Sequence, residues 1–140
     1  MMINIRAKDI YRTLLSICAV YFVSVTIAHQ IGLKVPMLYI FYAIPSERYQ
    51  DLIISFLSFG WAMLFGIGFL DKELKARVQV PILISGVAAI SGLIRARTEV
   101  RYHHEIDYEI VSLAVLLSAL VTTYVLSRKS GRHLLLNNTK

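Results

Sequence analysis

The sequence predicts an all-α fold, a bundle of four transmembrane helices with both termini in the cytoplasm, and three observations predict it. The first is composition: 56% of the 140 residues are apolar and 17% charged, against about 25% charged in an ordinary soluble domain, and mean hydropathy is +0.60. The second is pattern. Four stretches, 13–30, 52–70, 78–94 and 110–127, contain no Asp, Glu, Lys or Arg. At about 1.5 Å of helical rise per residue they reach about 26 to 28 Å, close to the thickness of a hydrocarbon core. A soluble bundle would need polar outer faces, yet Leu113 to Leu126 reads LAVLLSALVTTYVL, with no charged face.

The third observation is where the positive charges fall. A net charge of +6 and a pI near 9.6 could suit nucleic acid, but the cations lie beside the spans, which argues for no nucleic-acid partner. Arg6, Lys8, Arg12, Lys72, Lys75, Arg77, Arg128, Lys129, Arg132 and Lys140 fall on one side of a four-span chain, and Lys34, Arg48, Arg95, Arg97 and Arg101 on the other. Cytoplasmic loops carry the excess of Lys and Arg, so the richer side, with both termini, is expected inside.

The elements follow in order within a single membrane domain, 1–140, with no fixed-period repeat or low-complexity linker. The first span ends in Ala28, His29 and Gln30 without an A-x-A-like site, so an uncleaved span is expected rather than a signal peptide. Cys18, the one cysteine, sits mid-span as a small packing residue. The joint that follows contains an apolar segment, 33–45, too short to span and expected at the membrane interface, with Tyr39, Phe41, Tyr42 and Tyr49 suited to the headgroup layer. Ser46, or alternatively Asp51, is expected to cap the second helix. Small residues four apart, Ala62 with Gly66, Ala88 with Gly92 and Ala114 with Ser118, are expected to form the seams that pack the helices.

The densest group of ionisable side chains, RYHHEIDYE from Arg101 to Glu109, lies between the third and fourth spans. His104-Glu105-Ile106-Asp107-Tyr108 begins like the zinc-protease motif H-E-x-x-H, but Tyr108 stands where the second imidazole is needed. Adjacent His103 and His104 cannot both face one point from a helix, and Glu105 with Glu109 shows no desolvating surroundings that would split two carboxyl pKa values. The pattern therefore assigns no catalytic residue and no metal ligand. It favours a helical hairpin: Arg95 and Arg97 at a helix C-terminus, Glu105, Asp107 and Glu109 at a helix N-terminus, each favoured by the macrodipole, and Arg101 four residues from Glu105. Arg95 and Glu109 adjoin the apolar runs directly, so an ion pair between them at the membrane boundary is expected, with Arg101, His103, His104, Glu105 and Asp107 as a polar cluster beside it.

The order of parts, with SGLIRAR at Ser91 to Arg97 closing the third span and YEI at Tyr108 to Ile110 opening the fourth, resembles the DoxX-like small four-helix membrane proteins over most of Leu14 to Tyr124. The resemblance implies the four-helix fold and carries that group's arginine and glutamate onto Arg95 and Glu109. Some members are linked to quinone or thiol redox chemistry, but a lone Cys18 supplies no redox pair. The expected function is a non-enzymatic accessory or small-ligand-binding subunit of the cell membrane. Its expected partners are the lipid bilayer and either a membrane protein or further copies of itself. A membrane redox or metal-dependent enzyme subunit and an oligomeric channel or small transporter are the alternatives, and no cofactor is assigned.

Overall fold

The computed structural model describes the backbone of residues 2–35, 38, 47–99 and 103–137, and side chains within 7–35, 38, 47–99 and 106–128. All regular structure in it is helical: α1 (Met2–Ile31), α2 (Arg48–Leu70), α3 (Ala76–Glu99) and α4 (His103–Asn137). Each contains a stretch long and apolar enough to cross a membrane: Ala7–Ile31, Arg48–Leu70, Ala76–Glu99 and Ile106–Arg128. Tyr11 near the start of α1 meets Tyr124 late in α4 and Gln79 early in α3, whereas His29 at the end of α1 meets Asp51 at the start of α2. The helices therefore run alternately up and down, with the starts of α1 and α3 and the ends of α2 and α4 at one face (the terminal face) and the opposite helix ends at the other (the joint face).

Polarity is distributed as lipid requires. Large apolar side chains point outward, among them Phe56 at 69%, Leu70 at 72% and Val115 at 65% exposed, while His29, Asp51, Ser55, Ser58 and Gln79 are buried. In water this outer surface would be a continuous aggregation site. Outward hydroxyls are satisfied on their own helix: Ser91, Ser112 and Ser118 donate to the carbonyls of Val87, Tyr108 and Ala114 at 2.7 to 2.9 Å, so they need no partner from the surroundings.

The helix ends are closed by neighbouring helices. At the C-terminus of α1, Gly32 takes φ +69°, its N–H reaches the His29 carbonyl and that of Leu33 reaches the Ala28 carbonyl at 2.8 Å. This is a Schellman cap, which a glycine enters without steric cost. Arg48, the first residue of α2, adds its guanidinium to the carbonyls of His29 (2.9 Å) and Gln30. The other end of the hairpin repeats the device in reverse: Arg12 of α1 donates to the Phe69 carbonyl in the last turn of α2 at 3.2 Å and lies 5.0 Å from the centre of the Phe69 ring. Both arginines place positive charge at the negative end of a helix dipole.

Several boundaries differ from expectation. The N-cap of α2 is Glu47, whose N–H is received by the Gln50 side chain at 3.1 Å; Asp51 is not a cap but a buried residue turned toward α1. The polar stretch between the third and fourth spans is mostly helical, since α3 runs on to Glu99 and α4 begins at His103, as a favourable distribution of charge over the two helix ends allows. Ser46 and all of the interfacial segment expected at 33–45 except 33–35 and Leu38 lie outside the described residues, Tyr39, Phe41 and Tyr42 among them.

The seams also fall elsewhere. Ala62 is buried, but a Cβ at Gly66 or Gly92 would meet no atom within 4 Å, and Ala88 and Ser118 are exposed. Close approach occurs instead at Gly68, where a Cβ would run into Ile82 Cδ1 and lie 3.3 Å from Gln79 Oε1, and at Gly86, where it would lie 2.9 Å from Leu117 Cδ1. Gly68→Leu should therefore lower stability by about 1 to 3 kcal/mol through overpacking, whereas Gly66→Ala should leave it unchanged or raise it by up to about 1 kcal/mol through lost chain entropy. Thermal unfolding of both variants in one detergent checks this; equal losses would remove the assigned seam.

Candidate functional site

Packing divides the bundle into a filled half and a hollow half. In the half nearest the terminal face, Tyr11, Leu15 and Cys18 of α1, Phe65 of α2, Leu74 of the α2–α3 joint, Ile82 of α3, and Leu120 and Tyr124 of α4 form one buried cluster. Cys18 serves there as the expected small packing residue. Below this cluster a polar lock ties three elements together. The Tyr11 hydroxyl donates to Gln79 Oε1 at 2.9 Å, and Gln79 Nε2 donates to the Gly68 carbonyl at 3.2 Å and to Asp71 Oδ2 at 3.1 Å. Asp71 in turn receives the backbone N–H groups of Glu73 (3.3 Å) and Lys75 (2.6 Å) ahead of α3.

Partial burial works against the Asp71 charge, but the Gln79 amide, the two backbone N–H groups and the Lys75 ammonium outweigh it and hold the carboxyl below its usual range. A carboxyl whose pKa is lower folded than unfolded stabilises the fold fully above its unfolded value and loses that contribution as pH falls through the folded one. Wild-type protein should therefore lose thermal stability as pH drops below about 4, and Asp71→Asn should show a shallower acid limb. Parallel pH profiles for the two proteins would show that the carboxylate does not carry this linkage.

At the joint face, His29 Nδ1 lies 3.4 Å from Asp51 Oδ1, with both residues buried between α1 and α2. Reading the sequence span by span missed this pair, because Asp51 stands just outside the uncharged run 52–70. A signal was present: Asp51, Ser55, Ser58, Ala62 and Phe65 recur at spacings of three and four and are all buried, and small or polar residues at helical spacing inside an otherwise bulky apolar helix mark the face turned away from lipid.

Between the filled half and the joint face lies a cavity of about 510 Å³ reached by all four helices. Its walls are largely apolar, with Phe22 of α1, Trp61 and Phe65 of α2, Gly86 of α3, and Leu116 and Leu117 of α4 among them. Phe22, Trp61 and Phe65 stack mutually, with ring centres 5.7 to 5.9 Å apart and interplanar angles of 17° to 28°. The polar groups of the lining are Ser58, Ser112, the phenols of Tyr21 and Tyr108, and one carboxylate, Glu109. Although only the short 71–75 joint links them, α2 and α3 touch least of the neighbouring helices. The polar lock and the Gly68–Ile82 contact draw them together at the terminal face, and the cavity lies between them toward the joint face.

Of the residues expected to form the ion pair and the polar cluster, Arg95, Asp107 and Glu109 have described side chains. Glu109 lines the cavity, while Arg95 is exposed on α3, and the two do not form an ion pair among the described residues. The pair that joins α3 to α4 is Arg97 with Asp107, both partly exposed, with Arg97 Nη2 donating to Asp107 Oδ2 at 3.2 Å as well. Arg97 in the last turn of α3 and Asp107 near the start of α4 thus face each other. Arg101, and the side chains of His103, His104 and Glu105, lie outside the described residues. Among the described residues no three His, Cys, Asp or Glu side chains are arranged to hold a metal ion.

No family model matches this chain, and no curated protein or solved structure matches it. Fold and site define the class: a small all-helical protein with four helices that fit a multi-pass membrane protein.

Proposed function

We propose that this chain is a non-enzymatic binding subunit of the cell membrane that receives a small, largely apolar molecule between its four helices. The observation that carries the reading is the cavity: about 510 Å³, walled largely by apolar and aromatic side chains, with a few polar groups among them. Sites for small molecules have this size and this ratio of apolar wall to placed polar groups. Nearby charged side chains have structural work: Arg97 with Asp107 joins two helices, and Arg48 closes α1. Kinship with the DoxX-like proteins remains part of the proposal, supported by the helix order and by the place of Glu109 at the head of α4.

Trp61 is the single tryptophan and lines the cavity, so its fluorescence reports occupancy. Protein in lipid nanodiscs titrated with a neutral aromatic probe, triphenylphosphine oxide, should show a saturable change in Trp61 emission above that of empty discs. Ala89→Phe, which places a ring in the cavity wall, should abolish the change while leaving helix content intact. A linear, non-saturating response in wild-type protein would remove the binding reading.

The orientation belongs to the same proposal: ten of the fifteen Lys and Arg residues fall, in the sequence, in the two terminal segments and the joint between the second and third spans, the side that the positive-inside rule assigns to the cytoplasm. Reporter fusions after Asp71 and after Lys140 should both report cytoplasm, and fusions at Arg48 and Tyr102 the opposite compartment. An outward C-terminus would reverse it.

A further inference from the structure

We infer that the cavity is a slot for one acyl chain of a bilayer lipid, which enters it sideways from the hydrocarbon between α2 and α3. The inference deepens the binding reading above and rests on it. Its first ground is the length and closed end of the space. The described lining runs from Ile54 to Phe65 on α2, from Ile82 to Leu93 on α3 and from Tyr108 to Leu120 on α4. Ile54, Leu93 and Tyr108 each stand within two residues of the joint-face end of an uncharged run, 52–70, 78–94 or 110–127, so the slot begins at the membrane boundary. Its eleven or twelve residues of helix measure about 17 to 18 Å, close to the depth of one leaflet, which is half of a core about 30 Å thick. Phe65, Ile82 and Leu120 belong at the same time to the buried cluster of the filled half, and there the slot ends.

The second ground is the way in. Leu57 of α2 and Gly92 of α3 line the cavity and are also exposed on the outer surface, Leu57 at 64%, and a Cβ at Gly92 would meet no atom within 4 Å. Leu57 precedes Gly68 by eleven residues and Gly92 follows Ile82 by ten, so both lie on one level, about 15 to 17 Å from the contact that joins α2 to α3. That level is inside the spans, and one turn away Ile53 and Ala88 are apolar and exposed, so the opening faces lipid tails. A side opening lets a chain slide in while its headgroup stays at the interface, and no polar group has to cross hydrocarbon. Polarity within the slot follows a lipid from head to tail. On α4 the lining positions nearest the boundary are Tyr108, Glu109 and Ser112, and those beyond are Leu113, Leu116, Leu117 and Leu120. Further in, the stacked rings of Phe22, Trp61 and Phe65 present apolar faces. Lipid tails are as apolar as leucine, so the hydrophobic effect gives no drive from bilayer to slot, and the gain on entry is dispersion contact with these walls.

Bromine quenches tryptophan at contact, so Trp61 in the cavity wall reports a brominated chain beside it. The protein is placed in nanodiscs of phosphatidylcholine dibrominated on one chain and in matched unbrominated discs. On bromination, wild-type emission should fall at least about twofold further than that of Ala89→Phe, whose added ring takes up the space within contact distance of the indole. In wild-type protein, saturating triphenylphosphine oxide should restore the lost emission, after correction for its effect in unbrominated discs, whereas lipid touching only the outer surface would not be displaced. Equal quenching in the two proteins, or quenching that the oxide does not relieve, overturns the acyl chain; a saturable oxide response in unbrominated discs then keeps the cavity reading, and loss of that response removes it too. A brominated free fatty acid that quenches where the brominated phospholipid does not would overturn the assignment to a bilayer lipid. The displacement experiment needs no variant, so a folding defect in Ala89→Phe cannot rescue the inference.

Discussion

The Gln79 side chain is the contact on which the rest of the arrangement depends. It is fully buried and uses both ends of its amide, receiving the Tyr11 hydroxyl from α1 while donating to the Gly68 carbonyl and the Asp71 carboxylate at the end of α2. An amide in an apolar interior must find such partners, because leaving it unsatisfied costs more than the bonds gain. Once it has found them, α1, α2 and α3 are pinned at the terminal face. The small residue at Gly68 then lets Ile82 close onto α2, and the apolar cluster from Tyr11 to Tyr124 fills the space around it.

Pinning at one end leaves the other end free to differ. Toward the joint face the α1–α2 pair is closed by the Arg48 cap and by His29 against Asp51, and the α3–α4 pair by Arg97 with Asp107. Each of these joins helices that are consecutive in the chain. No comparable polar contact joins α2 to α3 there among the described residues, and the cavity occupies that space. The hollow thus lies where such contacts are lacking: α2 and α3 are tied together at the terminal face and border the cavity near the other.

The same physics explains why the charges at the joint face divide into two kinds. Arg97 and Asp107 are both partly exposed, and a pair in that setting orients two helices without contributing much stability. Glu109, two residues further along α4, has rotated to the inner face and borders the cavity. Two residues of helix turn the side chain through about 200°, so neighbours in the sequence serve structure and site separately.

By itself the sequence determined the class, the number of helices and their approximate spans, because hydropathy and charge exclusion are properties of single residues and survive any packing. It also carried the matching of charges to helix ends, which depends on local position alone. Which residues meet was left to the tertiary structure. Arg95 and Arg97 are the same residue type two positions apart, and the relative rotation of α3 and α4 gives Asp107 to Arg97 and turns Glu109 toward the cavity. Gly66 and Gly68 read alike in an apolar run, yet only Gly68 faces a neighbour. Asp51 looked like part of a polar joint until α1 placed His29 beside it. Register, rotation and pairing are set by contacts between segments distant in sequence, and a hydropathy pattern carries no term for them.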